Sequence, residues 1–114
     1  MDDAAHPDAL RKRFTALIAV TMSRCISELH YHPTYVLQHM GDHDGVETAV
    51  WLVSKPDETS GFTTLWEAGR LDLSAEALIL RDEFAPLFAP ELRRTVYDTL
   101  KAYHWKSLAE IKRP

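Results

Sequence analysis

The chain has one cysteine, Cys25, among its 114 residues. One thiol cannot close an intrachain disulfide or build a multi-cysteine zinc site. Apolar runs are short. None is longer than Ala49-Val50-Trp51-Leu52-Val53, far below the ~20 residues that cross a bilayer as a helix, so no membrane segment is expected. The opening Met1-Asp2-Asp3-Ala4-Ala5-His6 is acidic and lacks the basic start and apolar centre of a secretory signal. The expected setting is cytoplasmic, with Cys25 reduced. There are four glycines, and none falls in the spacing of a phosphate-cradling loop. Basic residues do not dominate either: 13 Lys and Arg stand against 17 Asp and Glu, net −4. As a whole the chain is no electrostatic trap for nucleic acid.

What is present fits a globular domain. Hydrophobic residues make up 46% and charged residues 26%, outside the disordered range. A chain of this length buries roughly two-thirds of its unfolded surface, enough for one modest core. The expectation is a single domain over residues 1–114, with 1–7 and 106–114 as flexible ends. Charge is unevenly placed. Residues 1–30 are neutral, 31–60 carry −4, 61–90 carry −3, and 91–114 carry +3.

Periodicity points to helices. Leu10, Phe14, Leu17, Ile18, Thr21, Cys25, Ile26 and Leu29 recur at three- and four-residue steps, one apolar stripe. Pro7-Asp8 marks its start, and Pro33 closes the segment by pushing the preceding residue out of helical geometry. A short helix is expected from Pro33 to Met40, followed by a turn at Gly41-Asp42-His43-Asp44-Gly45. Asp44 and Glu47 stand at capping-box spacing and favour a helix over 45–54, although Val46, Thr48, Val50 and Val53 would also suit a strand. Residues 55–61 read as a polar, mobile loop. Thr64 and Glu67 repeat the capping spacing, and Gly69 suits a left-handed helix end. Ser74 is expected to cap a helix over 75–83. Phe84, Leu87 and Phe88 form an apolar turn between prolines. Pro90 opens a last helix with Leu92, Val96, Leu100 and Tyr103 in one stripe. The fold class is therefore all-α, a compact domain of five to seven mostly short helices. Phe62, Leu65 and Leu78 are expected in the core with Phe84 and Phe88 beside them, and Trp66 is expected to be largely buried with Arg70 close by.

The run Gly61-Phe62-Thr63-Thr64-Leu65-Trp66-Glu67-Ala68-Gly69-Arg70-Leu71-Asp72-Leu73-Ser74-Ala75-Glu76-Ala77-Leu78 is the most distinctive stretch. Together with Pro33-Thr34-Tyr35, Gly45-Val46-Glu47-Thr48-Ala49 and Leu87-Phe88, it resembles a small bacterial domain family of unknown function, over about residues 30–103. The resemblance implies an all-helical domain and brings no catalytic residue. In that family's pattern basic residues follow Ala49, whereas Val50 and Trp51 stand there in this chain.

Catalytic and metal patterns are each incomplete. His30, His32, His39 and His43 fall within fourteen residues. The four-residue step from His39 to His43 is that of a zinc-protease helix, but Met40 occupies the position of its glutamate base. His39 and His43 remain weak ligand candidates, with an aspartate and His30 or His32, and no bound metal or other cofactor is expected. Asp42-His43-Asp44-Gly45 fails as a calcium loop, because the first and last ligand positions fall on Met40 and Trp51. Cys25 lies on the apolar stripe, where a thiol is buried and inert. Ser60-Gly61 is no nucleophile elbow.

Three functional expectations follow. The first is a small non-catalytic interaction module, a regulator or inhibitor acting on a protein partner, itself included as a dimer. Its candidate contact residues are Trp51, Val50 and Glu47. At 100° per residue, with Val46 at zero, Trp51 falls near 140°, away from the stripe of Val46, Ala49, Leu52 and Val53. Either another helix, such as the first, covers it, or it anchors a partner. The second is a nucleic-acid-binding accessory protein using Arg93, Arg94, Lys101, Trp105 and Lys106, with Arg11-Lys12-Arg13 as a possible addition to that face. The last is a metal-dependent hydrolase at the histidine cluster.

Overall fold

A computed structural model describes residues 7–54 and 61–114. All but Gly61 of the expected mobile loop, and all but Pro7 of the expected N-terminal end, lie outside those residues. Six α-helices appear among the described residues: α1 (Pro7–Leu29), α2 (Thr34–His39), α3 (Gly45–Ser54), α4 (Phe62–Glu67), α5 (Ala75–Ile79) and α6 (Pro90–Ala102). Three 3-10 turns over Leu71–Leu73, Asp82–Leu87 and Lys106–Glu110 link or follow them. No strand occurs among the described residues, and the chain is an all-α single domain.

The stripe of α1 is the spine of the core. Leu10, Phe14, Ile18, Thr21, Met22 and Cys25 are buried. Phe14 is fully enclosed and takes the edges of Phe84 and Phe88, each with ring centroids 5.1 Å away, the arrangement that aromatic quadrupoles favour. The 3-10 turn over Asp82–Leu87, with Pro86 inside it, carries Phe84 and leads into Phe88, and both rings pack onto α1. Phe62, Leu65 and Leu78 are buried in the same cluster.

Between α1 and α3, backbone meets backbone. The Gly45 amide donates to Thr15 Oγ1 at 2.8 Å, and a Cβ on Gly45 would stand 2.6 Å from Thr15 Cα. Arg11 bridges the same junction by donating from Nε to Asp44 Oδ2 at 2.8 Å. Asp44 Oδ1 also accepts from the Glu47 amide at 2.8 Å, so the capping contact forms and residues 45–54 are helical.

Helix ends follow their capping residues with two changes. Ser74 Oγ accepts from the Ala77 amide, as expected, but α5 stops at Ile79 rather than residue 83. Helix α4 begins at Phe62, after Gly61 in the left-handed region, so Thr64 is inside the helix and not its cap. Gly69 ends α4 at φ 71°, with the Gly69 amide donating to Trp66 O and Arg70 to Leu65 O, the paired bonds of a Schellman motif. His104 at φ 58° closes α6 with the same pair, His104 to Lys101 O and Trp105 to Leu100 O. This reversal folds the last residues back. Leu108 is buried and Arg113 forks onto both Asp98 oxygens at 3.0 Å.

Candidate functional site

Helix spacing puts Glu47, Val50 and Trp51 on one side of α3. Glu47 is exposed, Val50 is 37% exposed and Trp51 is half-buried. The Trp51 indole stacks on the His39 ring at 4.3 Å, and His39 stacks on His43 at 4.0 Å, with interplanar angles of 13° and 17°. This three-ring ladder is pinned at its middle, where His39 Nδ1 hydrogen-bonds to the buried Thr48 Oγ1 at 2.9 Å. Burial first, and then the neighbouring His43, hold the His39 pKa below its usual value. The off-stripe side of Trp51 is thus partly covered by α2, through His39. The same stacking bears on metal binding. In-plane lone pairs of parallel rings run side by side instead of converging, and no group of three or more His, Cys, Asp or Glu assembles around an ion position among the described residues.

The basic residues of the C-terminal region separate into two sets. Arg93 donates from Nε to Ile79 O at 3.2 Å and from Nη2 to Leu80 O at 2.9 Å, satisfying carbonyls at the end of α5. Its side chain is part of the fold. Arg94 approaches Glu91 at 3.7 Å. Lys101, Trp105 and Lys106 do come together, beside Tyr97 and His104, along an open groove of about 380 Å³. Arg11 is committed to Asp44, and Arg13 lies 5.9 Å from the Phe84 ring centre.

A second groove, of about 600 Å³, shares His104, Trp105 and Lys106 with the first and is walled on its other side by Trp66 and Tyr103. Trp66 is 46% exposed, which corrects the expectation that it is largely buried. Tyr103, expected on the α6 stripe, is 38% exposed at the helix end. The two rings meet edge to face at 5.4 Å, and Tyr103 also meets Phe62 edge to face at 4.9 Å. Asp72 lines this groove with its charge already matched, since both its oxygens accept from Arg70 at 3.1 Å. Arg70 also reaches Glu28 Oε1 at 2.7 Å, tying the end of α1 to this region. Hydrogen bonds from Arg24 and Arg70 hold the Glu28 pKa down at about 2. Sequence reasoning missed Trp66 because Phe62, Leu65 and Trp66 share a helical spacing, and a six-residue helix does not reveal how much of that face its neighbours cover. The juxtaposed Tyr103-His104-Trp105-Lys106 segment was the available signal.

No protein-family model, curated protein or solved structure matches this chain. No described helix is long and apolar enough to cross a membrane.

Proposed function

We propose that this protein is a small non-catalytic interaction module, a cytoplasmic regulator or inhibitor that works by binding a protein partner, a second copy of itself included, through the α3 face of Glu47, Val50 and Trp51. The observation that carries the reading is the ring ladder. Stacking on His39 fixes the Trp51 rotamer before any partner arrives, so an aromatic contact there loses little side-chain entropy on binding. Val50 supplies exposed apolar area beside it, and Glu47 an acidic rim suited to steering a basic partner. The alternative chemistry at Cys25 is disfavoured, because burial pushes the thiol pKa up and away from the reactive thiolate.

Val50→Asp is the discriminating variant, because Val50 is exposed and its loss leaves the ladder intact. Sedimentation velocity over a concentration series, together with affinity capture and identification of the captured proteins, is expected to show an association that Val50→Asp abolishes while the melting temperature stays put. If neither self-association nor any capture depends on Val50, the reading is wrong.

A further inference from the structure

The paired grooves beside α6 lie on different residues from the α3 face and present different chemistry. Trp66 and Tyr103 are exposed aromatics whose open surface the fold does not use, and Trp105 stands across from them, partly buried. Lys101 and Lys106 are exposed and enter no ion pair among the described residues. Among the described residues, Asp72 is the one carboxylate lining either groove, and Arg70 neutralises it. Asp42, Asp44 and Glu47, the acidic residues around the start of α3, line neither groove. A surface with exposed lysines, a balanced acid and exposed aromatic rings selects a ligand that is anionic and flat. We propose that this double groove binds single-stranded nucleic acid, with bases stacking on Trp66, Tyr103 and Trp105 and phosphates meeting Lys101 and Lys106.

Single strands fit better than duplex for a geometric reason. A duplex hides its base faces, whereas stacking platforms flanked by cations read unpaired bases with little sequence preference. His104, Trp105 and Lys106 line both grooves, so the two lie side by side on one segment and the ring wall and the lysines are within reach of one strand. Arg93 and Arg94, basic by sequence, line neither groove; Arg93 donates to the Ile79 and Leu80 carbonyls and Arg94 lies 3.7 Å from Glu91.

The test is fluorescence anisotropy of a labelled single-stranded oligothymidine with the full-length protein. Saturable binding at low salt is expected, with a log–log salt slope of about −1.4 for two phosphate contacts. Trp66→Ala should weaken it roughly 5- to 150-fold, the range for one stacked base. Lys106→Glu, at an exposed side chain, provides an arm that does not depend on core packing and should also weaken binding. Unlabelled duplex of the same sequence should compete poorly, and Val50→Asp on the other face should change nothing. No binding at low salt overturns the proposal, as does binding indifferent to Trp66→Ala and Lys106→Glu. Displacement by oligoglutamate as effective as by oligothymidine also overturns it and assigns the double groove to acidic peptides.

Discussion

Glu76 is 2% exposed in the first turn of α5 and has no cationic partner among the described residues. Desolvation raises its pKa from 4.5 to about 7, against the weaker pull of its own backbone amide. The sign follows from proton linkage. The folded state holds this proton more tightly than the unfolded state, so Glu76 costs nothing below the unfolded pKa. The cost grows as pH rises from 4.5 and is complete above about 7. Glu76→Gln should therefore stabilise the fold at about pH 8 by up to ~3 kcal/mol more than it does at about pH 4, measured by urea unfolding of both proteins at each pH. Phe62 tests burial instead of charge. It is buried against Tyr103 and the α4 core, and Phe62→Ala should cost roughly 3–5 kcal/mol. An urea midpoint unchanged from the parent would refute the core assignment.

At the scale of elements, junctions between helices carry the constraints. Gly45 starts α3 where its backbone lies against Thr15, and the expected Cβ clash at 2.6 Å involves a backbone atom that cannot swing aside. Gly45→Ala should cost about 1–3 kcal/mol by forcing α1 and α3 apart, and it should loosen the Arg11–Asp44 bridge that sits at the same junction. Chemical denaturation measures the first effect. Slowed or hastened exchange of the Gly45-region amides measures the second, with faster exchange expected. At the end of α1, His30 takes φ 54° and its amide donates to Ile26 O at 3.1 Å, a left-handed cap made by a residue with a Cβ. The ring is exposed. His30→Gly should remove the αL strain and raise stability by about 0.5–1 kcal/mol, net of the extra chain entropy of glycine. A destabilised variant would show that the ring itself contributes packing.

For the whole molecule, one hydrophobic cluster includes buried residues from all six helices and from the three 3-10 turns. The radius of gyration of 13.5 Å is close to the ~13 Å of a compact domain near this size. Stability is therefore shared and not modular. Unfolding followed by tryptophan fluorescence and by far-ultraviolet circular dichroism should give coincident curves, although Trp51, Trp66 and Trp105 report from different parts of the surface. Two separated transitions would mean that the α2–α3 face and the α6 grooves belong to independently unfolding units. With a single shared core, the two proposed binding surfaces belong to one cooperative unit, and an exposed variant on one should leave the other's binding intact.

Much of the architecture was legible in the chain because its signals are local. The stripe of α1, the Asp44 and Ser74 caps, Gly69 as a left-handed end and Pro90 at the first turn of α6 each depend on a few neighbouring residues and on backbone sterics. The long-range outcomes were not legible. Trp51 was placed off its stripe, but only α2 packing shows that a histidine covers it. Arg93 looked like part of a basic face, and two carbonyls fourteen and thirteen residues away took its donors. Trp66 and Tyr103 carried the spacing of core residues, yet the short α4 and the reversal at His104 left both at the surface. Local order was written in spacing and caps, while which rings are covered and which cations remain free depended on contacts between segments far apart in the chain, which no local pattern encodes.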